Sequence, residues 1–169
     1  MCHESGAFYA PAQHRTRVAG VLQLEFDVER LEGYGLDSEL EQIYDLARPP
    51  VALVPQNVAA GPIVVSFSVF PGLHVRFGRW HIEGFPQCGC DACDETAESE
   101  AKRLTSRTGD LTAGRFREGI RIDENGGAWK EHWFAGSGGK SQLDPVRARE
   151  LIAVGDTTAY QWAPWPRRK

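Results

Sequence analysis

Ile63-Val64-Val65-Ser66-Phe67-Ser68-Val69-Phe70-Pro71-Gly72-Leu73-His74-Val75-Arg76-Phe77 is the stretch on which the fold class turns. Its first eight residues are β-branched or aromatic except for two serines, a composition that fits a pleated, half-buried surface. Pro71-Gly72 offers the two central residues of a tight turn, proline pre-setting the first φ and glycine permitting a positive second φ. Leu73, Val75 and Phe77 then alternate with His74 and Arg76, the period of a strand. The segment reads as an antiparallel hairpin. A second hairpin is expected from Phe116 to Ile122 and from Ala128 to Phe134, joined through Asn125-Gly126-Gly127. With Val51–Val54 as a further short strand, the reading is an antiparallel sheet of about five strands.

Helices are expected around these strands. One runs from Pro11 to about Phe26. A second has Ser38 and Glu41 at capping-box spacing, an apolar face of Leu40, Ile43, Tyr44 and Ala47, and a stop at Pro49-Pro50. A third spans about Ala92 to Thr108 with Ala97, Ala101 and Leu104 on one face. Asp144-Pro145 opens a fourth, an N-cap followed by proline at the first helical position, ending near Ala153. The fold class expected is α+β, the sheet with its two hairpins and helices packed on one face. All 169 residues form one expected domain, 1–10 a loose N-terminal arm and 156–169 an extended aromatic and basic tail.

Charge narrows the function classes. Lys and Arg total 19 against 23 Asp and Glu, a net charge of -4, so a nucleic-acid partner is not expected. No run approaches the ~18 apolar residues of a membrane span. The start, Met1-Cys2-His3-Glu4-Ser5-Gly6, lacks the basic and apolar regions of a secretion signal, and a cytoplasmic location is expected.

Three of the four cysteines crowd into Cys88-Gly89-Cys90-Asp91-Ala92-Cys93, with Cys2 alone at the start. Clustered thiols in a reducing compartment point to metal binding or redox chemistry before structural bridges. Zinc takes about four soft or borderline ligands in a tetrahedron. Cys90 and Cys93 have the C-x2-C spacing that lets two sulfurs reach one ion, and Gly89 lets Cys88 turn toward it. His81 is the best local fourth ligand, with His132 and Cys2 as weaker ones. A Cys88, Cys90, Cys93 and His81 zinc site leads. It stands beside a Cys90–Cys93 dithiol, an iron–sulfur cluster and three inert packed thiols.

Other motifs point less far. Gly136-Ser137-Gly138-Gly139-Lys140-Ser141 lacks the earlier glycine of a phosphate-binding loop, since Phe134 stands there, and reads as a flexible loop. Glu131-His132 would point to opposite strand faces. His74 and Arg76 read as solvated, and Trp129, Trp133, Trp162 and Trp165 as core and tail packing.

Gly78-Arg79-Trp80-His81, Phe85-Pro86 and Cys88-Gly89-Cys90-Asp91-Ala92-Cys93-Asp94-Glu95 together resemble an uncharacterised family of small actinobacterial proteins carrying only a domain-of-unknown-function label. Gly114-Arg115-Phe116-Arg117-Glu118 and Ala163-Pro164-Trp165-Pro166-Arg167-Arg168 look like later blocks of it. The resemblance implies a single-domain cytoplasmic protein and supplies no activity, cofactor or catalytic residue.

The function expected is a non-catalytic binding or accessory protein, with a structural zinc at the cysteine cluster and an unidentified protein partner. The alternative is an enzyme that uses the cluster. It would be either a zinc hydrolase, with Glu83 or Glu95 as base, or a thiol redox protein.

Overall fold

The sequence-derived hairpin forms the middle of the first of two sheets. β3 (Ile63–Ser68) pairs antiparallel with β4 (Gly72–Phe77), from Ile63 opposite Phe77 to Ser68 opposite Gly72. The computed structural model describes residues 12–69, 72–87, 95–155 and 157–169, of which 12–18 and 155 by backbone alone. Pro71 of the expected turn, the arm 1–10 and all four cysteines lie outside the described residues.

β1 (Val28–Glu32), β2 (Leu46–Pro55) and β5 (His81–Phe85) complete this sheet in the order β1-β2-β3-β4-β5. β2 contains Pro49-Pro50, expected to stop a helix. Proline cannot donate to a ladder, and the β2–β3 register shifts on either side of Arg48. The helix before it, α2 (Ser38–Ile43), is correspondingly shorter than the pattern predicts. Its cap is Asp37 rather than Ser38: Asp37 accepts from Leu40 N, while Glu41 reaches back to Gly35 N and Asp37 N.

α1 (Ala12–Glu25) and α3 (Ala97–Thr112) cover the face of this sheet that carries Val51, Leu53, Ile63, Val65, Val75 and Phe77. The expected one-sided cover is incomplete as a description, because α2 contacts the opposite face. There Asp37 takes a bidentate pair from Arg76, and Tyr44 stacks on His74 at 3.7 Å. Arg76 and His74 are therefore engaged rather than solvated. α3 starts at a capping box of Thr96 and Ser99, and its buried stripe is Thr108, Leu111 and Thr112; Ala97 and Ala101 are exposed.

The second hairpin does not extend the first sheet. α3 carries the chain across, and β6 (Arg117–Ile122) with β7 (Ala128–Phe134) builds a separate four-stranded sheet, β8-β7-β6-β9. Its edges are β8 (Ser137–Leu143) and the short β9 (Ala159–Gln161). The architecture is mixed α+β and strand-rich, with two antiparallel sheets where one was expected. β8 is -Ser-Gly-Gly-Lys-Ser-Gln-Leu, without strand propensity; pairing with β7 along its whole length makes it a strand. It also replaces the loop expected at Gly136–Ser141.

The core lies where the sheets meet. Phe134 stacks on Phe116 at 4.5 Å and meets Phe77 edge-on at 5.6 Å. The terminal segment is part of it: Trp162 and Trp165 are buried, and Trp165 Nε1 donates to Gly61 O at 2.8 Å. α4 (Pro145–Gly155), opened by Asp144 accepting from Val146 N and Arg147 N as expected, packs Ala148 with Trp80, Ile120 and Ala128.

Candidate functional site

His81, Glu83 and Phe85 alternate along β5 toward the core, because the partner strand β4 places Phe77, Val75 and Leu73 on that same face. His81 opens β5. Its Nε2 lies 3.1 Å from Glu83 Oε1, both side chains buried. With Nε2–H donating to the carboxylate, Nδ1 is the lone-pair nitrogen of that ring. Glu83 also accepts from Arg107 Nε at 3.0 Å and from Arg103 Nη1 at 3.3 Å. Those arginines are one helical turn apart on α3 and share its face. Arg103 further donates to Gly84 O and to Glu100 and lies over the Phe85 ring; Arg107 lies over Phe134. Burial pushes the Glu83 carboxyl up. The hydrogen bond from His81 and the charges of Arg107, His81 and Arg103 outweigh it and hold it below the usual carboxylate range.

His132 arrives from β7, on the same strand face as Phe134 and opposite to Glu131, which pairs instead with Arg121. Its ring stacks on His81 with centroids 3.7 Å apart. Desolvation, reinforced by the neighbouring His81, lowers its pKa to about 4. The opposite residue on β8 is Gly139, and a Cβ there would stand 2.9 Å from His132 Cε1. The glycines of β8 thus make room for side chains of β7 rather than for a phosphate.

One ligand atom each from His81, Glu83 and His132 lies within 4.8 Å of the others. The structure brings together the two histidines weighed as alternative fourth ligands, plus Glu83. Cys2, Cys88, Cys90 and Cys93 lie outside the described residues; Glu95, half-buried just before α3, is not among the three. His81 stands at the start of β5. Four strand steps, about 13 Å, separate it from Phe85.

Sequence reading passed over Arg103 and Arg107, whose i, i+4 spacing was the available signal. It also passed over Glu118. This carboxylate is 1% exposed, with Lys130 among the charges it feels. It accepts from three consecutive backbone N–H groups, Arg79, Trp80 and His81, and from Trp162 Nε1, at 2.6–2.9 Å. Burial raises its pKa, and the four donors pull it back.

Fold and site define an α+β protein of two antiparallel sheets with a buried histidine–carboxylate cluster between them. The chain belongs to the family of unknown function DUF6226, whose sequence model matches residues 9–169. No curated protein and no solved structure matches it. Among the described residues no helix is long and apolar enough to cross a membrane.

Proposed function

We propose that the protein is a non-catalytic binding or accessory protein that holds one transition-metal ion, zinc by its ligand chemistry, at the paired histidines of β5 and β7. The observation that carries this is the convergence of His81, Glu83 and His132 within 4.8 Å, the first two buried and His132 half-buried. Tetrahedral zinc with ~2.1 Å bonds wants ligand atoms about 3.4 Å apart, so the two rings must turn out of their stack for both lone pairs to reach one ion, with water or a further side chain filling the other positions. His132, uncharged at neutral pH, has a lone pair to give. Glu83, already held by Arg103 and Arg107, serves better as the carboxylate that orients His81 than as a ligand, a common outer-sphere arrangement at metal-bound histidines.

Cys88, Cys90 and Cys93 with His81 form the second ligand set this reading allows, and His81 is common to both. Calorimetric zinc titration of reduced, chelator-treated protein separates them. The expected result is about one ion per chain. His81→Asn abolishes binding, and His132→Asn weakens it by more than the roughly 10- to 100-fold that loss of an outer-shell partner costs. Cys90→Ser leaves it unchanged. Loss on Cys90→Ser with His132→Asn silent moves the ion to the cysteine set, and Cys90→Ser then also lowers the melting temperature. No zinc binding by the wild type overturns both.

A further inference from the structure

The second sheet has two unlike faces. Cross-strand partners share a face, so the outer one carries three rows: Arg117, Trp133 and Gly138; Gly119, Glu131 and Lys140; Arg121, Trp129 and Gln142. α4 reaches this sheet from the inner side, through Ala148 against Ile120 and Ala128, and so does α3, through Arg107 on Phe134. Trp129 and Trp133 are half-buried, unlike the buried Trp80, Trp162 and Trp165.

Both rings are pinned at the surface. Trp133 lies against Gly138, where a Cβ would come within 2.7 Å of its Cδ1, and Arg117 stands 4.2 Å from its ring centre. Trp129 Nε1 donates to Asp123 Oδ2 at 3.3 Å, and Lys140 Nζ stands 4.8 Å from its ring. Arg117, Arg121 and Lys140 are exposed; of these, Arg121 pairs with Glu131.

We infer that this face binds single-stranded nucleic acid. Flat aromatic rings on a sheet give unpaired bases a stacking platform once the cation lying over each ring swings off its face, and the displaced cations meet the phosphates. A neutral glycan would use the rings without the cations, and a duplex keeps its bases inside, away from the rings. The rings stand four strand residues apart, about 13 Å, a span for a short oligonucleotide rather than one nucleotide. The acidic chain as a whole argues the other way. Charges beyond about 8 Å are largely screened at physiological salt, however, and the face itself carries three cations against Glu131, with Asp123 at its edge.

Fluorescence anisotropy of labelled oligo(U) and oligo(dT), about 12 nucleotides long, tests this on the full chain. Binding is expected at roughly 10⁻⁴–10⁻⁶ M. Trp129→Ala and Trp133→Ala each weaken it roughly 5- to 150-fold. Arg117→Gln and Lys140→Gln, surface changes that leave the fold intact, each flatten the salt dependence by a slope of about 0.7. Absence of binding overturns the inference. So does binding unaltered in Lys140→Gln and in whichever tryptophan variants fold, or equal competition by duplex DNA or heparin. Zinc content does not enter this readout, so its outcome is independent of the metal proposal.

Discussion

His132 is uncharged in the folded chain because β7 turns it inward, where burial strips away the water a charged ring needs and the neighbouring His81 adds to the cost. Unfolded, it takes a proton near pH 6.5; folded, only near about 4. Between those values the unfolded chain binds more protons, so stability falls as pH is lowered through that window. Allowing for partial exposure, the loss is on the order of 2 kcal/mol. Urea midpoints of chelator-treated protein at about pH 7 and about pH 5 should therefore fall further in wild type than in His132→Asn. Equal falls would sink this account. At this scale little was legible in the sequence. His81 and His132 were both visible as ligands, but as alternatives, since 51 positions of chain separate residues that the fold stacks.

Between elements, Glu118 ties the turn after β4 to β6. Gly78, with φ +65°, turns the chain just before the run of N–H groups from which Glu118 accepts, and a Cβ there would collide with Glu118 Oε1 and Trp162 Nε1. Successive N–H groups of this kind make an anion cradle, here filled by the protein's own carboxylate. Glu118→Gln would set an amide NH2 against two of the four donors. The expected cost is roughly 2–4 kcal/mol in denaturant unfolding; an unchanged midpoint would show the cradle to be incidental. Both halves stand in the sequence as Gly-Arg-Trp-His and Gly-Arg-Phe-Arg-Glu, yet nothing local says that one binds the other. Elements themselves were legible where the period was strong, as in β3, β4, β6 and β7. They were illegible where a partner imposed the conformation: β8 by pairing with β7, and the first half of β2 through two prolines, its second half Val51–Val54 having been read as a strand. α3 was placed about four residues early because its alanines are periodic but exposed, and Thr108 and Leu111 do the packing.

Across the whole molecule, the terminal segment closes the core. β9 pairs with β6, Trp162 N donates to Phe116 O, and Phe26 bridges Arg167. Removing residues 162–169 deletes two buried tryptophans. Each is worth about 3–5 kcal/mol by truncation, against a total stability of roughly 5–15 kcal/mol. The truncated chain should lose its cooperative thermal transition by circular dichroism; a sharp transition within a few degrees of wild type would contradict this. What the sequence by itself determined is the class, an α+β chain with two hairpins, because periods of 2.0 and 3.6 and the turn chemistry act over a few neighbours. Tertiary structure alone decided that the hairpins lie in different sheets, that the aromatic tail is core, and that His81, Glu83 and His132 meet. Those outcomes rest on pairing and burial between residues from 46 (Phe116 and Trp162) to 141 (Phe26 and Arg167) positions apart, for which no local propensity stands.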